Sequence, residues 1–143
     1  MRKIENLSPN ILLDTHIWIW LVNGDVRIKS TKFLNLVNEA AGESRMCISI
    51  ISIWEVAMLE AKKRISFPYS CLEWVQRAFK KSRVRLIPLT PEIAIESTHL
   101  DFHGDPADRI IVATALDEQA VLVSCDQNIL TYSQKNNIKI FSP

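Results

Sequence analysis

Four acidic residues occur where carboxylates could meet at one edge of a folded sheet. Asp14 directly follows the apolar run 11–13, which is typical of a buried strand. The others are Glu55, Asp108 and Asp126. Crowded carboxylates raise one another's pKa and repel, so such a group persists at neutral pH chiefly by binding a cation. Ligation by oxygen alone favours Mg²⁺ or Mn²⁺ over zinc.

Divalent ions held in this way are suited to the hydrolysis of phosphodiester bonds. They lower the pKa of a bound water molecule and offset the charge that develops on the scissile phosphate. No histidine base is then required. The spacing of the acids leaves open whether one ion or two is bound.

Each acid also has an ordinary structural role open to it. Asp14 and Asp126 could each cap the helix that follows them. Two capping boxes are also possible, and they would pair Ser52 with Glu55 and Asp105 with Asp108. Taken singly, each capping role is at least as common as a catalytic one. Capping alone is a weaker explanation if the carboxylates converge on one rim.

Short apolar runs alternate with helical segments along the chain. The predicted strands are 11–13, 46–50, 84–89, 120–124 and 138–141. The predicted helices begin near residues 16, 30, 52, 70, 90, 105 and 127. No Asn-Gly or Asp-Gly hairpin turn joins two strands. The pattern predicts an α/β fold, a three-layer α/β/α sandwich around a parallel sheet of about five strands.

This topology brings some of the acids together. Asp14 and Asp126 follow two strands of the predicted sheet, and Glu55 lies in the first turn of the helix after another strand. Ligands of open α/β sheets bind beyond the carboxyl ends of the strands. Three carboxylates therefore share one rim, and Asp108 is a plausible fourth.

Composition limits the class of protein. The 143 residues suit a single domain, with residues 1–10 as an N-terminal extension. A formal charge of +1 means that any polyanion must be bound by a local patch. Three cysteines without a C-x-x-C pair indicate buried, reduced thiols in a cytoplasmic protein. No signal peptide or membrane span is recognisable.

Several other residues allow two interpretations each. Arg109 could contact a phosphate, but pairing with a nearby acid is favoured. His16 and His103 flank the predicted site, where a polar structural role is the commoner one. Two basic runs, 62–64 and 77–85, could contact RNA or form a solvated face. Four tryptophans are predicted to pack in the core: Trp18, Trp20, Trp54 and Trp74. The first two could instead serve a protein interface.

Four segments together resemble a known family. They are 12–16 (LLDTH), 49–55 (SIISIWE), 105–115 (DPADRIIVATA) and 122–126 (LVSCD). In this order the set resembles the PIN-domain ribonucleases, specifically the VapC-like toxins of bacterial toxin–antitoxin pairs. The resemblance implies an α/β/α sandwich, Mg²⁺ or Mn²⁺ held by clustered acids, and RNA cleavage that leaves 5′-phosphate and 3′-hydroxyl ends. It also implies a homodimer and a cognate antitoxin protein as partners.

The resemblance also suggests roles for individual residues. Asp14 and Asp108 would bind the metal directly. Glu55 and Asp126 would bind through water, orient the nucleophile or hold a second ion. Supporting roles fall to the neighbouring residues Thr15, Asp105, Arg109 and Ser124, the last of which stands where relatives often carry threonine.

Two other functions remain open at this point. One is a catalytically inactive PIN-like module that binds RNA or protein, which would have no need of a crowded carboxylate rim. The other is a different Mg²⁺-dependent phosphoryl-transfer enzyme. An aspartyl-phosphate phosphatase would carry Asp-x-Asp after the first strand, whereas Thr15 and His16 follow Asp14.

Overall fold

A parallel sheet forms the centre of the protein. The computed structural model describes residues 8–143, so residues 1–7 of the predicted N-terminal extension lie outside the described residues. The strands are β1 (Ile11–Leu13), β2 (Met46–Ser49), β3 (Arg85–Ile87), β4 (Val121–Val123) and β5 (Ile140–Phe141). They pair in the order β3-β2-β1-β4-β5, and every pair is parallel. The predicted parallel sheet of five strands is confirmed, although most strands are shorter than predicted.

Seven helices within residues 8–143 connect and cover the strands. They are α1 (Thr15–Asn23), α2 (Thr31–Gly42), α3 (Ile50–Ala61), α4 (Cys71–Ser82), α5 (Pro91–His99), α6 (Pro106–Asp117) and α7 (Gln127–Lys135). A short 3-10 turn at Val26–Ile28 follows α1 and was not predicted. Among the helices that the structure describes, none has the length and hydropathy needed to cross a bilayer.

The sheet separates two hydrophobic cores. Ile11 and Leu13 of β1 pack into one core, whereas Leu12, whose side chain points to the opposite face, packs into the other. All three residues are at most 1% exposed. Helices therefore cover both faces of the sheet, as the uniformly apolar strands predicted.

Most helices begin close to the predicted residue, directly after a capping side chain. The side chains of Ser30, Ser70, Thr90, Asp105 and Asp126 each accept a hydrogen bond from a backbone N–H in the first turn. Helix α3 is the exception. Its cap is Ser49, which accepts from the N–H of Ile51 at 3.2 Å. Ser52 lies inside the helix, so the predicted capping box of Ser52 and Glu55 is wrong.

Candidate active site

The order of the strands places the candidate site at the edge where β1 and β4 end. Leu13 of β1 pairs with Val123 of β4, so Asp14 and Ser124 leave neighbouring strands side by side. The N–H of Asp14 donates to the carbonyl of Val123 at 2.9 Å and fixes this alignment. The chain connections leaving these two strands diverge here, since β1 leads to β2 on one side and β4 leads to β5 on the other. Such a switch point is where open α/β sheets bind ligands.

Both carboxylate oxygens of Asp14 accept hydrogen bonds. Oδ1 accepts from the backbone N–H of Thr15 at 2.8 Å, and Oδ2 accepts from the Ser124 hydroxyl at 2.7 Å. Ser124 Oγ in turn accepts from the N–H of Asp126 at 3.0 Å. Asp14 therefore caps α1, and Ser124 holds its carboxylate at the sheet edge. Each carboxylate oxygen keeps a lone pair that could bind a cation.

Two hydroxyl groups connect Glu55 to the first residue of α1. The Thr15 hydroxyl donates to Glu55 Oε1 at 2.5 Å. The Thr15 hydroxyl oxygen also lies 2.7 Å from the Ser52 hydroxyl oxygen. Ser52 must donate in this second bond, because Thr15 has only one hydroxyl proton and donates it to Glu55. All three side chains are buried. Ser52 therefore does not cap α3 but supports the group that positions Glu55.

Asp105 and Asp108 bring two further carboxylates to Glu55. Asp105 caps α6, since its Oδ1 accepts from the N–H of Asp108 at 2.8 Å. One carboxylate oxygen of each of the three residues lies within 4.8 Å of the other two. This is the tightest group of potential metal ligands among the described residues. Asp105, expected from the resemblance only to support the site, is therefore a member of its closest cluster.

One cavity of about 350 Å³ contains all of these acids. Its lining includes the carboxylates of Asp14, Glu55, Asp105, Asp108 and Asp126. Asp126 also caps α7, accepting from the N–H of Ile129 at 3.0 Å. Capping and membership of the site are thus compatible for Asp14, Asp105 and Asp126. Each capping bond uses one carboxylate oxygen and leaves lone pairs that could bind a cation.

Burial and mutual repulsion both favour the protonated forms of these acids. Burial raises the pKa of Glu55 to about 7, helped by the charges of Asp14, Asp105 and Asp126 and opposed by the Thr15 hydrogen bond. Burial also raises the pKa of Asp108 to about 7, and the carboxylates of Asp105 and Asp14 add to this. The pKa of Asp14 is raised by burial as well, against the hydrogen bond from Ser124. A divalent cation would relieve this repulsion.

Arg109 has a different role from the one predicted. Its guanidinium donates to the backbone carbonyls of Ser97 at 3.1 Å, Leu100 at 2.7 Å and Phe102. It pairs with no acid among the described residues. The side chain instead joins the end of α5 and the segment after it to the first turn of α6. Because that segment leads into Asp105, Arg109 supports the shape of the acidic cavity.

Replacing Arg109 should therefore cost stability. Arg109→Ala removes all three bonds to partly buried carbonyls, and we expect the free energy of unfolding to fall by about 2–4 kcal/mol. Denaturant-induced unfolding measures this. The matched control is Arg77→Ala, since Arg77 forms an exposed ion pair with Glu73 at 2.8 Å and should contribute less than about 1 kcal/mol. Equal losses in both variants would contradict the assigned role.

Some side chains lie elsewhere than predicted. Trp18 and Trp74 are buried, as expected, but Trp54 is 55% exposed and Trp20 lines the acidic cavity. The burial of Trp18 also excludes it from a protein interface. All three cysteines are free, and Cys47 is buried. Cys125 is exposed at the cavity wall, so its predicted burial is wrong.

The contribution of the basic runs to RNA binding stays a prediction. Neither run lines the acidic cavity, and two of their members have partners elsewhere. Arg77 lies over the Tyr69 ring, and Arg85 donates to the carbonyl of Ser44. His16 does line the cavity. Its place one turn before Trp20 on α1 is the signal that could have identified both as cavity residues.

Comparisons with known proteins agree with this arrangement. Ribonuclease VapC22 of Mycobacterium tuberculosis is 29% identical over 133 residues, which cover 92% of this chain and 98% of that protein. The structure of DNA-bound VapBC from Salmonella typhimurium has a TM-score of 0.68 at 20% identity, over 94% of this chain and 98% of that one. A toxin–antitoxin complex from Klebsiella pneumoniae has a TM-score of 0.57 at 24% identity, over 83% and 89%. The structural likenesses show a shared fold.

The family follows from a match that spans most of the chain. The PIN domain model matches residues 11–135, which contain every acid of the cavity and four of the five strands. The segments at 12–16, 49–55, 105–115 and 122–126 all lie within it. The protein belongs to the PIN domain family.

Proposed function

We propose that this protein is a Mg²⁺- or Mn²⁺-dependent endoribonuclease and the toxin of a toxin–antitoxin pair. The observation that carries the proposal is the convergence of five carboxylates in one cavity, whose described lining includes no Lys or Arg. A structural cluster of this kind would be self-repelling, whereas a site for a divalent cation requires it. The relative from Mycobacterium tuberculosis is named as a ribonuclease.

The donor set fits a hard divalent cation. Oxygen ligands within a few ångströms of one another, without His or Cys among the closest three, suit Mg²⁺ or Mn²⁺. Glu55, Asp105 and Asp108 would hold one ion, and Asp14 and Asp126 would bind the same ion or a second one. When bound, such an ion lowers the pKa of water and offsets negative charge on a phosphate.

The chain's own residues would prepare the site for the reaction. Thr15 fixes the carboxylate of Glu55, and Ser124 fixes that of Asp14, so neither acid has to be ordered when RNA binds. Protein hydroxyl groups, rather than water molecules, therefore orient both carboxylates. We assign Thr15 and Ser124 as positioning residues, and Arg109 as a support for Asp105.

The proposal includes partners. VapBC and toxin–antitoxin complexes are among the proteins of similar fold. We propose that a small antitoxin protein binds this chain and blocks cleavage, and that the chain acts as a homodimer in the cytoplasm.

The direct test is RNA cleavage by the purified protein. We expect cleavage with Mg²⁺ or Mn²⁺, none with EDTA, and products with 5′-phosphate ends. Expression of the chain alone should arrest growth, and co-expression of a small neighbouring gene should relieve the arrest. Sequencing the ends of RNAs cut after brief expression identifies the substrate. Cleavage that persists in EDTA, or a metal-loaded protein that cuts no RNA, would rule out the proposal.

A further inference from the structure

The chain turns back on itself at the carboxyl end of α1. Gly24 adopts a left-handed conformation, with φ of 66°, which a residue with a side chain rarely accepts. The N–H of Asp25 then donates to the carbonyl of Trp20 at 2.9 Å. The 3-10 turn that follows is anchored by Ile28, which is buried. This turn brings residues 25–27 back alongside Trp20.

Arg27 is held over the face of Trp20 by this turn. Its guanidinium carbon lies 4.9 Å from the centroid of the Trp20 ring. Asp25 accepts from the N–H of Arg27 at 2.9 Å, and its second carboxylate oxygen lies 3.5 Å from the guanidinium. The Arg27 side chain is nevertheless 60% exposed. A stacked guanidinium uses its face for the aromatic ring and leaves donors at its edge free.

Trp20 connects this arginine to the acidic cavity. Trp20 lines the cavity together with His16, whose ring centroid lies 6.0 Å from that of Trp20. The cavity is lined mainly by acids. A bound metal ion would attract the scissile phosphate despite these acids, but it would not reach the phosphates on either side. An RNA strand carries a phosphate at every nucleotide, so the neighbouring phosphates need cations beyond the cavity wall.

We propose that Arg27, held in place by Trp20, binds the RNA phosphate next to the scissile one. This assignment rests on the proposed ribonuclease function and adds a residue for substrate binding to it. Arg27 makes a charge-assisted contact with a phosphate oxygen through the guanidinium N–H groups that do not face Asp25. Trp20 is the positioning residue, because its ring fixes the guanidinium before RNA arrives. The contact is to the backbone and carries no base preference.

The test measures RNA binding separately from cleavage. A mixed pool of short single-stranded oligoribonucleotides is titrated with the full chain in Ca²⁺, which replaces Mg²⁺, at several salt concentrations. We expect Arg27→Ala to weaken binding by about threefold to tenfold and to reduce the slope of log affinity against log salt by about one. Trp20→Leu should weaken binding but keep the slope, since the positive charge remains. In Mg²⁺, Arg27→Ala should raise KM with little change in kcat.

Lys32→Ala is the matched control, because Lys32 is an exposed cation on α2 and does not line the cavity. It should bind RNA as the unchanged protein does. The inference is overturned if Arg27→Ala keeps the affinity and the salt slope, if Lys32→Ala loses as much, or if the unchanged protein binds no RNA. If the unchanged protein binds RNA but does not cleave it in Mg²⁺, the proposed catalytic function fails, and the loss of affinity and of salt slope in Arg27→Ala would then show only that Arg27 contacts a phosphate.

Discussion

Asp108→Asn and Asp14→Asn should each slow RNA cleavage on the order of a thousandfold. Asparagine has nearly the shape of aspartate but lacks the negative charge that a divalent cation requires. Loss of a metal ligand removes several kcal/mol of stabilisation from a transition state that depends on the ion. The measurement is the initial rate of RNA cleavage at saturating Mg²⁺ and again at a tenfold lower concentration.

The same substitutions should not unfold the protein. Without metal, the carboxylate of Asp108 is repelled by Asp105 and Asp14, which is part of why its pKa is raised to about 7. Removing this charge should raise the unfolding temperature slightly in EDTA at pH values above 7. An inactive variant that is at least as stable as the unchanged protein identifies a functional carboxylate rather than a structural one.

A matched control lies at the other end of the same helix. Asp117 is exposed at the carboxyl end of α6 and outside the cavity. Asp117→Asn should keep both the cleavage rate and the metal requirement. If Asp108→Asn and Asp14→Asn cleave RNA as fast as Asp117→Asn, these acids do not hold the catalytic ion.

The fold could be predicted because local signals agreed along the chain. The apolar run at 11–13 is buried on both faces, and Asp105 and Asp126 cap helices as their positions predicted. The positions of Asp14 and Asp126 at one edge of the sheet could be predicted too, because parallel strands end at a common edge. A capping acid just beyond a strand is therefore informative for both the fold and the site.

The sequence could not reveal which partners Ser52 and Arg109 would have, because these depend on tertiary contacts. Ser49 and Ser52 are both plausible caps, and the bond of the Ser52 hydroxyl to Thr15, 37 residues earlier in the chain, is not visible in the local sequence. Arg109 has acids nearby in sequence, but the end of α5 and the segment after it present three carbonyls to its guanidinium. Distances of this kind depend on how α5 and α6 pack, which no local pattern encodes.

A rise in pH should destabilise the metal-free protein, whereas a bound divalent cation should stabilise it. The folded chain holds Glu55 and Asp108 with pKa values of about 7, above the ordinary values of 4.5 and 3.8. The folded state therefore binds these protons more tightly than the unfolded state does. The resulting stabilisation is complete below the ordinary pKa values and is lost as the pH rises through about 7. In EDTA, the free energy of unfolding should fall between about pH 5 and about pH 8.

A bound divalent cation should reverse this loss, because it takes the place of the two protons. Metal binding must release them below pH 7, so the apparent affinity for Mg²⁺ should rise with pH, by up to about tenfold per pH unit for each proton, and then level off. Denaturant unfolding across this pH range, with EDTA and with saturating Mg²⁺, measures both effects. Asp108→Asn should flatten the EDTA curve and weaken the effect of Mg²⁺. Parallel curves with and without metal would mean that the cation does not bind these carboxylates, since their protons and the ion must compete for the same oxygens.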